Sequence, residues 1–150
     1  MKAYVLAAAA AMMAAPAAAD VPDWMSGEWR TSARLTAPDG AQLRIRCTLN
    51  AGEGGAGWTG TLGCATVQGR FEGQWNVAIS GGSANGQVVF SGPESGQTAV
   101  SGPASANAVT LNGDNGQAVT FSPGSNGSIV VDMTALGPQR LSGALTFEAR

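Results

Sequence analysis

The sequence predicts an all-β protein, an antiparallel meander barrel or sandwich of about eight to ten short strands carrying one disulfide. Three observations predict it. Twenty-two Gly and seven Pro, with many Ser, Asn and Thr, punctuate short runs rich in Val, Ile, Thr and aromatic residues. Several of those runs alternate apolar and polar residues at period two, and no longer window shows the three-and-four spacing of a helix. Cys47 and Cys64 are the only cysteines, and both fall in phase with apolar residues.

In chain order, the first element is a leader. Lys2 is its only charge, Ala3 to Ala15 is apolar, and Pro16 and Ala17-Ala18-Ala19 precede Asp20. A charged start, a short apolar stretch and small residues at an A-x-A site describe a secretory signal peptide over residues 1–19, too short to span a bilayer. The expected product is one all-β domain over residues 20–150, soluble, and periplasmic or secreted. Without Lys2, the expected chain carries seven Arg, no Lys and no His against ten acids, a net charge of −3. Such a weakly acidic, charge-poor chain lacks the basic field needed to bind nucleic acid or an anionic membrane strongly, so neither is expected as a partner. Stable membrane insertion is not expected either.

Gly27 to Thr36 is expected as the first strand. In Gln42 to Leu49, Leu43, Ile45, Cys47 and Leu49 share one face while Arg44, Arg46 and Thr48 take the other. In Gly57 to Thr66, Trp58, Gly60, Leu62 and Cys64 share a face, so the sulfurs of Cys47 and Cys64 can meet between neighbouring strands if the register suits. An even cysteine count in an oxidising compartment points the same way, to a disulfide. A zinc site would need further ligands, and no His or third Cys supplies them. Gly69 to Ile79 places Phe71, Gly73, Trp75, Val77 and Ile79 on one side, and Arg70, Glu72, Gln74 and Asn76 on the other.

An approximate ten-residue repeat follows, Asn85-Gly86-Gln87-Val88-Val89-Phe90-Ser91-Gly92-Pro93 and then Ser95-Gly96-Gln97-Thr98-Ala99-Val100-Ser101-Gly102-Pro103. Asn107 to Leu111 and Asn115 to Phe121 continue it less regularly. Each unit is one strand plus one turn, the limb of a meander. Arg140 to Ala149, with Leu141, Leu145 and Phe147 in phase, closes the chain. A closed meander of this kind would be calycin-like, in the manner of a lipocalin.

Chemistry is sparse. Without His the common general base is missing, and without Lys so are Schiff-base and Ser-Lys arrangements. No G-x-x-x-x-G-K-[ST] loop is present to cradle phosphate. Carboxylates are scattered over turns and polar strand positions, so no residue is nominated as catalytic, no metal ligand is nominated, and no cofactor is implied. Asp114 in Asn112-Gly113-Asp114-Asn115-Gly116 is a turn residue, because a calcium loop would carry more carboxylates. Trp58 and Trp75 are expected in the core, and Trp24, ahead of the first strand, is expected to be exposed. A carbohydrate could stack on such Trp faces, and a small barrel can hold an apolar ligand in its mouth. Arg44 and Arg46, with Arg34 and Arg70, could form an anion patch, although pairing with Glu28 or Glu72 is the plainer expectation.

Ser26-Gly27-Glu28-Trp29, then Cys47-Thr48-Leu49-Asn50, then Trp58, Leu62 and Cys64, resemble the small periplasmic β-barrel inhibitors of secreted bacterial metalloproteases. Val109-Thr110-Leu111 and Asp114 to Phe121 are similar to that family's strand, Asp-x-Gly turn and strand. The resemblance covers about half of the expected domain. The cysteines lie closer together here, and Gly69 to Asn107 stands as an insertion. It implies that a short tail, here Asp20, Val21, Pro22, Asp23 and Trp24, projects from the barrel into a protease cleft. The sequence thus leads to two expectations, a non-enzymatic exported binding or envelope protein whose partner is a protein or small ligand, and a metalloprotease inhibitor acting through that tail.

Overall fold

The computed structural model describes residues 21–55 and 57–150. The expected leader and Asp20 lie outside the described residues. Ten antiparallel strands form a closed barrel: β1 (Gly27–Thr36), β2 (Gln42–Gly54), β3 (Gly57–Thr66), β4 (Gly69–Ser80), β5 (Ser83–Ser91), β6 (Gly96–Pro103), β7 (Val109–Asn112), β8 (Ala118–Pro123), β9 (Ile129–Leu136) and β10 (Leu141–Ala149). Each strand pairs with the next in sequence, and β1 pairs with β10 to close the ring. The expected meander is therefore a barrel rather than a sandwich. Closure removes both sheet edges, which would otherwise leave unpaired backbone groups.

The alternation foreseen in the sequence sets which residues face inward. In β2, Ile45, Cys47 and Leu49 are buried while Arg44, Arg46 and Thr48 are exposed. In β3, Trp58, Leu62 and Cys64 are buried. Cys47 lies directly opposite Cys64 in the β2–β3 ladder, with Cα atoms 4.1 Å apart. That short separation belongs to a non-hydrogen-bonded antiparallel pair, where facing side chains come closest. The two cysteines form the expected disulfide, on the inner face of the wall.

Because strands alternate in direction, the turns fall at two ends. The base holds the start of β1, the end of β10 and the turns after β2, β4, β6 and β8. The mouth holds the turns after β1, β3, β5, β7 and β9. A single 3-10 turn, Asp23–Met25, closes the base. Val21 and Met25 are buried in the core, and Trp24 packs against it. Trp58 donates its indole N–H to the Met25 carbonyl (3.0 Å), Trp24 to Ala106 (2.7 Å) and Trp29 to Gly127 (2.9 Å). The first ties the plug to β3, and the other two tie the plug and β1 to the basal loops.

The expected projecting tail is corrected here for its described part. Val21, Pro22, Asp23 and Trp24 fold onto the base, and Trp24 is half-buried rather than exposed. The reason is local and physical. Val21, Trp24 and Met25 offer apolar side chains to an open barrel end, and burial of that surface outweighs the freedom of an extended tail. Pro22 has no N–H to lose, and its carbonyl accepts the Met25 N–H at 2.9 Å, which starts the turn.

Candidate functional site

Above the plug the interior is filled in layers. Trp58, Trp75 and Phe121 form an aromatic cluster with ring centroids 5.0 Å, 5.0 Å and 5.4 Å apart, and the Trp58–Phe121 pair is edge-to-face. Gly60, facing Trp75 across the β3–β4 ladder, makes room for it: a Cβ there would fall inside the indole. Trp75 and Phe121 are also the floor of a cavity of about 200 Å³ that opens at the mouth. Its walls are mainly apolar, with Leu62, Phe71, Val88, Phe90, Leu111, Val119 and Leu136 facing it. Glu94, Ser95 and Gln117 stand at the rim.

The rim is held by bonds between turns. Thr98 donates to the Asp114 carboxylate at 2.8 Å, joining β6 to the β7–β8 turn. Arg140, in the β9–β10 turn, donates to the Asn115 carbonyl at 2.5 Å. Asp114 is thus a turn residue, as its sequence context suggested, and it begins a 3-10 turn. Phe71 reaches from β4 to the β9–β10 turn, where its ring lies 3.2 Å from the position a Cβ would take on Gly137. Gly137 has φ of 73°, a backbone region that favours glycine, so the same residue serves both the turn and the approach of Phe71.

Trp58 and Trp75 are core residues, and Trp75 also faces the cavity. The arginines do not meet the carboxylates expected for them. Glu28 faces Asn50, Glu72 faces Gly63, and Arg34 faces Arg44. Glu72 accepts instead from Gln74 at 3.1 Å. Among the described residues, no three of His, Cys, Asp and Glu gather where they could hold a metal ion. The cavity wall was the part not nominated from sequence. The period-two phase of Phe71, Val88 and Phe90 was readable, but whether inward side chains meet or leave a void depends on strand number and closure.

Compared with known proteins, the chain matches no family model and no curated protein.

Proposed function

We propose that this chain is an exported, non-enzymatic barrel that takes up a small, largely apolar ligand through its mouth. The observation that carries this reading is the open cavity of about 200 Å³ above an aromatic floor. An apolar cavity of about 150 Å³ stays dry and accommodates benzene, so this one suits a slightly larger apolar group, with any polar end left at the rim. The A-x-A leader and the disulfide support export to an oxidising compartment. The inhibitor reading relies on a projecting tail, and Val21 to Trp24 packs against the base instead.

Calorimetric titration with a small apolar ligand, toluene, tests the proposal, with tryptophan emission followed alongside. Saturable binding is expected, together with a change in tryptophan emission, because Trp75 lies in the floor. Its indole N–H has no hydrogen-bond partner, so Trp75→Phe removes the reporter without breaking a bond. Val88→Trp, which fills the cavity from β5, should abolish binding while the melting temperature holds. Absence of saturable binding, or undiminished binding in a folded Val88→Trp protein, would overturn the reading.

A further inference from the structure

The outer wall carries a separate feature that net charge conceals. The whole chain has a net charge of −2, yet Arg30, Arg34, Arg44, Arg46 and Arg70 are all exposed on one face of β1, β2 and β4. The register brings them together. Arg34 lies opposite Arg44, and Arg46 and Arg70 flank Ala65 from the two neighbouring strands. Since Gly63 and Ala65 raise almost no side chain between them, β3 forms the floor of a broad furrow bordered by Arg30, Arg46 and Arg70. The carboxylates on this face are Glu28, which precedes Arg30 in the same phase of β1, Glu72, and Glu148, which lies opposite Arg30. Like charges directly opposite on a sheet are destabilising, so the Arg34–Arg44 pairing calls for anions to offset it.

A second observation lies at the same end of the wall. Val67, in the β3–β4 turn beside Arg70, is 90% exposed. An aliphatic side chain at a hairpin tip next to a guanidinium array is the arrangement that suits a lipid interface, with the tip entering the headgroup region and the cations facing phosphates. Guanidinium forks match phosphate geometry bidentately, and no lysine contributes to the array.

We infer that the β1–β4 wall, with Val67 at its tip, is a docking surface for an anionic phospholipid membrane, bound peripherally and without insertion of a spanning segment. This inference does not rest on the ligand proposal, although docking by this wall would hold the mouth close to the membrane. The averaged charge argues against such a partner only if the charges are evenly spread, and they are not.

Co-sedimentation of the purified, leader-free protein with vesicles tests it. Binding is expected to vesicles of phosphatidylcholine mixed with phosphatidylglycerol, to weaken as salt rises, and to be absent with phosphatidylcholine alone. Arg44→Glu should weaken binding by about tenfold or more, and because it replaces a like-charge pair with Arg34 by an opposite one, loss of fold does not explain the result. Arg46→Glu should act similarly, Arg46→Lys should retain most binding, and Val67→Asp should weaken it further. Failure to bind the mixed vesicles, equal binding to neutral ones, or full binding by Arg44→Glu would overturn the inference. So would complete competition by inorganic phosphate, which would make the furrow a small-anion site instead.

Discussion

At the scale of single residues, two contacts decide how the inner face is packed. Cys47 and Cys64 close a link across 17 residues of sequence, and constraining the unfolded chain to that extent is worth about 3 kcal/mol in the chain-entropy model. Replacing both with Ala should lower unfolding free energy by about that amount, read from denaturant melts, with the fold retained. Gly60 poses the opposite problem. In an ordinary strand Gly→Ala stabilises, because it restricts the unfolded chain. Here the added Cβ would enter the Trp75 ring, which could yield only by leaving its place between Trp58 and Phe121 and shifting toward the cavity. Overpacking should win, and Gly60→Ala should destabilise by about 1–3 kcal/mol.

At the scale of elements, the basal turn is the piece that the sequence pattern misassigned. Asp23–Met25 is a single 3-10 turn, too short for any periodicity to reveal. Its stability comes from tertiary burial: Met25 is fully buried and its carbonyl accepts the Trp58 indole. Met25→Ala should therefore cost about 2–5 kcal/mol, and removing residues 21–25 should lower the melting temperature in a calorimetric scan. An unchanged melting temperature would mean that the plug is idle. The strands were far more legible. β1 and β3 span the residues expected for them, while β2 runs five residues beyond Leu49 to Gly54. That extension is Asn50-Ala51-Gly52-Glu53-Gly54, whose glycines suggest a loop, and it is kept in the sheet by pairing with β3.

For the whole molecule, the pairing around the ring is uneven. β2 and β3 are in register from Arg46↔Ala65 to Gly54↔Gly57 without a break. β6 and β7 share only Ser101↔Asn112, supplemented by the isolated bridge Ala104↔Val109. A closed barrel opens first where the fewest backbone bonds must break. Native-state hydrogen exchange should accordingly be faster for the amides that β6 and β7 turn toward each other than for those of the β2–β3 ladder. Uniform protection around the ring would contradict this. The seam also adjoins the cavity, since Thr98, Val100 and Leu111 line it, so local opening there is a route for ligand entry beside the mouth.

Period-two alternation and turn chemistry are local properties, and they determined the all-β class, the inward residues of β2, β3 and β4, and the pairing of Cys47 with Cys64 once the register allowed it. Side-chain direction follows from neighbouring residues alone, so one strand at a time is enough to read it. Three things were decided only by the tertiary structure: that the meander closes into a ring, that the interior is filled below Trp75 and Phe121 but open above them, and that Val21 to Met25 plugs the base. Each depends on how many strands close the barrel and on what surface is left uncovered when they do, quantities that belong to the assembled wall and to no segment of it. The arginine face was legible in part, since Arg34, Arg44, Arg46 and Arg70 could be read as an anion patch, but the choice between that patch and pairing with Glu28 or Glu72 was not. Its residues are spread over more than forty positions of sequence, and only the strand register sets them side by side.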